Sequence, residues 1–123
     1  DTYNANPTSV RAGLKTLHQI ASGRKIAVLG DMLELGAVAE KEHYELGAVI
    51  VAEEIDYLLT VGDLAAEIAT GAQDNGLDKS KIFTYNNKEG AKDKLEELMA
   101  VDDTILVKAS RGMKLEEIVE SIS

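Results

Sequence analysis

Cysteine is absent from the chain, so disulfides and thiolate metal sites are excluded, an absence that fits a reducing, cytoplasmic environment. No apolar run approaches the ~20 residues that a membrane-spanning helix needs, and neither a signal peptide nor a membrane span is visible. Basic residues are the minority: 13 Lys and Arg stand against 22 Asp and Glu, a formal net charge of -9. Sequence-independent grip on nucleic acid relies on many Lys and Arg contacts to phosphates, so no nucleic-acid partner is expected. An anionic ligand must be held by a local cluster of donors.

Catalytic signatures are missing as well. No G-x-x-x-x-G-K-[ST] loop is present to cradle a triphosphate, and no G-x-G-x-x-G follows a strand. No Ser/His/Asp set surrounds a nucleophile elbow. By itself the chain reads as part of an active site.

What is present is a single-domain length, 123 residues, with 45% hydrophobic and 28% charged residues. Proline occurs once, and Asn6-Pro7 marks a helix start, because Asn caps well and proline is pre-organised for the first helical position. That helix is expected to reach about Ser22, with Val10, Leu14, Leu17 and Ala21 forming one apolar stripe and Gly23 stopping it. Strands are expected at Lys25 to Gly30, Tyr57 to Val61, Lys81 to Tyr85 and Thr104 to Lys108. Helices are expected at about Ala37 to Ile55, Leu64 to Gln73, Lys88 to Ala100 and Lys114 to Ser121. This alternation implies βαβ crossovers: an α/β, doubly wound, mainly parallel sheet with helices on both faces. The first helix has no strand ahead of it, so the opening decapeptide DTYNANPTSV is expected to be a strand-to-helix loop of a longer protein.

Ligands of such sheets bind beyond the carboxyl ends of the strands. The polar residues expected there are Asp1, Asn4, Asn6, Asp31, Asp63, Asn86, Asn87, Ser110 and Arg111. Asp63, Asn86 and Asn87 are expected to be helix caps. Two asparagines two residues apart exceed what one cap needs, Tyr3 offers a face for a planar base, and Arg111 carries a fork suited to carboxylate or phosphate. His43 lacks metal-binding partners at i+3 or i+4, where Leu46 and Gly47 stand, so a hydrogen-bonded structural histidine is expected. His18, on the polar side of the first helix, is expected to be solvated.

Three stretches carry a resemblance: Asp1-Thr2-Tyr3-Asn4-Ala5-Asn6-Pro7-Thr8-Ser9, Val28 through Gly36 leading to His43, and Leu106 through Met113. Together they resemble the C-terminal domain of the Mur ligases, end to end. D-x-Y-N-A-N-P-x-S and L-G-D-M-x-E-L-G point within that family to the branch that adds a dipeptide. The last stretch departs from the family pattern K-G-S-R, since Ala109 replaces its glycine, which is tolerable if the backbone keeps φ negative.

The resemblance implies a Rossmann-like domain, residues 1–123, of a three-domain enzyme whose N-terminal and central ATPase domains are its partners. ATP and Mg2+ would be bound mainly by the central domain. The substrates it implies are UDP-N-acetylmuramoyl-tripeptide and D-alanyl-D-alanine, joined through an acyl phosphate. Asp1, Tyr3, Asn4 and Asn6 would face the nucleotide, and Asp31, Ser110 and Arg111 the incoming substrate or the closing interface. No catalytic residue and no metal ligand is expected within these residues alone, and the domain by itself is expected to be inactive. Three alternatives stand beside this one: a ligase of the family adding a single amino acid, a receiver module, and a plain interaction domain. A receiver would need an acidic pair after the first strand, where Asp31 supplies one acid, while Lys108 matches its lysine.

Overall fold

The computed structural model describes residues 5–109. Four helices, α1 Pro7–Ile20, α2 Ala39–Ala52, α3 Ala65–Asp74 and α4 Lys88–Leu98, alternate with four strands, β1 Lys25–Gly30, β2 Tyr57–Val61, β3 Ile82–Tyr85 and β4 Thr104–Lys108. All strand pairings are parallel, in the order β3-β2-β1-β4. This is the 3-2-1-4 order of a Rossmann sheet, whereas flavodoxin-like receiver modules run 2-1-3, so the receiver alternative falls.

Strand alternation divides the core. Ala27, Leu29 and Leu58 face α1, α2 and α3, packing with Val10, Leu14, Leu46, Ile50 and Ile68. Ile26, Val28, Leu59 and Val61 face the other way, onto Ala91 and Leu95 of α4. Right-handed crossovers explain the split: stepping from β1 to β2 to β3 keeps α2 and α3 on one face, and the return to β4 carries α4 to the other. Each fully buried aliphatic side chain contributes about 1.5–3 kcal/mol relative to exposure.

Helix α1 begins as its sequence dictates. The Asn6 side chain accepts the Ser9 N–H at 2.9 Å, and the Asn6 N–H donates to the Ser9 hydroxyl at 3.0 Å, a reciprocal capping box with Pro7 in the first turn. It ends at Ile20, because Ala21 is already extended. The helix expected over Ala37 to Ile55 is shorter and starts differently. Glu34 and Gly36 take φ of 68° and 63°, a 3-10 turn covers Gly36–Val38, and α2 follows. Glu54, at φ 57°, closes it, and the Ile55 N–H returns to the Ile50 carbonyl at 3.1 Å. Helix α4 stops at Leu98 because Met99 is extended and Asp103 captures the Ala100 N–H at 2.8 Å. The helix expected over Lys114 to Ser121 lies outside the described residues.

A clamp joins the amino ends of β1 and β4, away from the ligand rim. Arg24 donates to both oxygens of Asp103, at 2.9 and 2.7 Å, and to the Leu98 carbonyl at 2.8 Å, while its guanidinium lies 5.1 Å from the centre of the Tyr57 ring. The Asp103 side chain is 2% exposed. The hydrogen bonds from Arg24 hold its carboxyl below the usual carboxylate range, and the same pairing raises the guanidinium. An acid whose folded pKa is depressed stabilises the fold fully above its unfolded pKa, about 3.9, and loses that contribution as pH falls through the folded value. Unfolding followed from pH 7 to pH 3 should therefore show a loss below about pH 4 that Asp103→Asn flattens; parallel curves for the two proteins would refute the clamp's role.

Thr60 is fully buried in β2, and its hydroxyl has no hydrogen-bond partner among the described residues. A valine would fill nearly the same space without an unpaired polar group. Thr60→Val should leave urea unfolding unchanged or stabilise by about 1 kcal/mol, and a loss of stability would mean the hydroxyl is bonded.

Candidate functional site

Strand order reverses between β1 and β4, and in open parallel sheets the crevice beyond such a reversal is where ligands bind. Asp31 directly follows β1, and Lys108, level with Leu29 in the register, ends β4. Helix α1 runs antiparallel to β4: Gly13 lies against Leu106 and Lys108, whereas Leu17 and Ile20 share a groove with Thr104 and Ile105. Its N-terminal cap, Asn6, is thereby brought to the same rim.

Asp31 does more than stand at the rim. Its Oδ1 accepts the Ala65 N–H at 2.7 Å, so a carboxylate from 34 residues earlier caps α3 and meets the positive end of that helix. The approach requires glycine in the next turn. Gly62 has φ of 112°, and a Cβ there would stand 2.4 Å from Asp31 Oδ1. Asp63, the expected local cap, is exposed and makes no cap bond, since Leu64 precedes α3 without side-chain capping. Asn87 does cap its helix, accepting the Gly90 N–H at 3.0 Å, and Asn86 is exposed.

Asn6 likewise has its side-chain oxygen engaged by the capping box, so its amide nitrogen is the part left to address a ligand. In the sequence Lys108 stands out as a receiver-like lysine and as the lysine of the K-G-S-R stretch, with no role in the site expected of it. In the fold it is a half-buried cation at the switch point, its stem alongside Gly13. Ala109 is buried in the α4-side core and is not among the residues with positive φ, so its methyl group is accommodated there. Asp1, Tyr3, Asn4, Ser110 and Arg111 lie outside the described residues.

His43 has no exposed surface and both ring nitrogens are engaged, as expected of a structural histidine. His18 is exposed, as expected, and its Nδ1 also donates to the Glu53 carbonyl at 2.9 Å, tying the end of α1 to the end of α2. Among the described residues no group of three or more His, Asp or Glu is arranged to hold a metal, so these residues by themselves do not fit a magnesium site. No described helix is long and apolar enough to cross a membrane.

The order of the sheet, with its reversal between β1 and β4, defines a Rossmann-like α/β domain. Residues 1–111 match the family described as "Mur ligase, glutamate ligase domain", and the chain belongs to that family. It is 45% identical, over 123 residues, to the UDP-N-acetylmuramoyl-tripeptide--D-alanyl-D-alanine ligase of Bacillus subtilis, covering 99% of this chain and 27% of that protein. The Escherichia coli protein of the same name is 36% identical over 126 residues, covering 99% and 26%. Among solved structures, MurF from Acinetobacter baumannii superposes with a TM-score of 0.85 at 32% identity, covering 99% of this chain and 27% of that one. MurF from Thermotoga maritima, solved in complex with ADP, superposes with a TM-score of 0.79 at 29% identity, covering 99% and 26%. The chain thus spans about a quarter of the length of the relatives it matches.

Proposed function

We propose that the chain is the C-terminal domain of an ATP-dependent amide ligase that adds D-alanyl-D-alanine to UDP-N-acetylmuramoyl-tripeptide, a step of peptidoglycan precursor synthesis in the bacterial cytoplasm. The observation that carries this reading is the 45% identity to a relative of that name along the whole chain. The partners are then an N-terminal domain and a central ATPase domain, the latter supplying the P-loop and magnesium ligands for which these residues have no place.

In that reaction a carboxylate oxygen of the tripeptide takes the γ-phosphoryl group and ADP departs. The dipeptide amine then attacks the acyl carbon, phosphate leaves, and the amine loses a proton as the amide forms. Water competes for the acyl phosphate, so a domain that closes over the site protects it. The rim suits that task. Asn6, with Asp1, Tyr3 and Asn4, addresses the nucleotide, and Asp31, with Ser110 and Arg111, addresses the acceptor or the closing interface.

Incubating the full-length protein with ATP and both substrates should yield a product heavier than the tripeptide precursor by one dipeptide less water, read by mass spectrometry. Absence of that adduct would overturn the reading. Asn6→Asp separates capping from binding, because it keeps the acceptor for Ser9 and removes the amide donor. It should leave the unfolding midpoint near that of the parent and raise the KM for ATP about tenfold, the loss of one hydrogen bond to a ligand. An unchanged KM would remove Asn6 from the nucleotide site.

A further inference from the structure

His43 lies in the first turns of α2 with no exposed surface, and the ligase reading gives it no part. Its Nδ1 is 2.6 Å from the Ala39 carbonyl and its Nε2 accepts the Met32 N–H at 2.9 Å. A carbonyl only accepts and a backbone amide only donates, so the ring is neutral with its proton on Nδ1. Filling the core would require neither bond, and an aliphatic side chain would serve. The acceptor instead meets the amide directly after Asp31.

Three ties therefore hold residues 31 and 32: the Asp31 carboxylate on α3, the Met32 amide on His43 of α2, and the Met32 side chain, 1% exposed, in the core. Beyond them the loop turns through the positive-φ residues Glu34 and Gly36. Of the three, only the bond to His43 fixes the main chain, and so the direction from which Asp31 leaves β1.

We infer that His43 is a positioning residue for the ligase reaction, holding the main chain after β1 so that the Asp31 carboxylate keeps its place at the rim. The inference rests on the reading above that this rim faces the ligase's substrates. A glutamine at 43 can offer an oxygen where Nε2 stands, whereas an asparagine reaches only the Nδ1 position and leucine offers no acceptor.

The test uses the full-length ligase with His43→Gln, His43→Asn and His43→Leu. It reads kcat and the KM of each substrate, the unfolding midpoint, and hydrogen exchange at the Met32 amide. The Gln variant should keep that amide protected and kcat within about threefold of the parent. The Asn and Leu variants should expose the amide and lower kcat/KM for the acceptor by at least about tenfold, the order expected of a displaced reacting group, without a matching fall in the midpoint. Parent-like kinetics in the Asn and Leu variants, or rapid exchange of the Met32 amide in the parent, would overturn the inference. If the Asn and Leu variants do not fold, the Met32 exchange of the parent and Gln proteins decides it. A parent that makes no dipeptide adduct would refute the ligase reading alone, because the exchange contrast between Gln and Asn stands without turnover.

Discussion

Gly47→Ala should strip about 3 kcal/mol or more from the domain, lowering its thermal midpoint by roughly 10 °C. Helices α2 and α3 meet backbone to backbone at this point. A Cβ on Gly47 would stand 2.1 Å from the Ala72 nitrogen, and one on Gly71 2.1 Å from the Tyr44 carbonyl oxygen. Main chain cannot rotate aside as a side chain does, so the helices must separate and lose the packing of Leu46, Ile50, Ile68 and Ala72 beneath them. Alanine's better helix propensity returns about 1 kcal/mol, far less than the clash takes away. Against a total stability of about 5–15 kcal/mol the remainder is large. Urea unfolding of parent and variant checks it, and a variant within about 0.5 kcal/mol of the parent would mean that the helices do not approach this closely.

The largest functional effect should come from Asp31. Asp31→Ala removes both the cap on α3 and the charge at the rim, and in the full-length ligase it should lower kcat/KM about 10²-fold while costing about 1 kcal/mol of stability. Asp31→Asn separates the two roles. Its amide oxygen can still accept the Ala65 N–H, so stability should stay near that of the parent and activity should still fall, because the charge is gone. Parent-like kinetics for the Asn variant would reduce Asp31 to a helix cap and move the acceptor contacts to Ser110 and Arg111.

The limits of β1, β2 and β4 were legible because each is a short run rich in β-branched and aliphatic residues closed by Gly30, Val61-Gly62 or Lys108, whereas β3 starts one residue later than expected, at Ile82, because a 3-10 turn holds Lys79–Lys81. Local caps were legible too: Asn6-Pro7 and Asn87 announce their helices with side chains one turn away. What the sequence could not give was capping from a distance. Nothing near Ala65 says that its amide is met by Asp31, and the local sequence points to Asp63 instead. The early end of α2 was hidden for a related reason, since a glutamate at φ 57° carries no mark of the left-handed region that a glycine would. The Arg24–Asp103 clamp, joining residues 79 apart, is a product of strand order alone. As for the candidate site, its expected location rests on the α/β alternation and its expected chemistry on the family motifs, while the engagement of both Asp31 and Asn6 in the fold itself required the three-dimensional structure.

If this rim serves a ligase whose acceptor is a dipeptide, ATP-dependent phosphate release from the full-length protein with UDP-N-acetylmuramoyl-tripeptide, compared between D-alanyl-D-alanine and single amino acids, will show it. Release that depends on the dipeptide is the predicted result. Release with a single amino acid and not the dipeptide would contradict it, keeping the family's chemistry but assigning the chain to a different member.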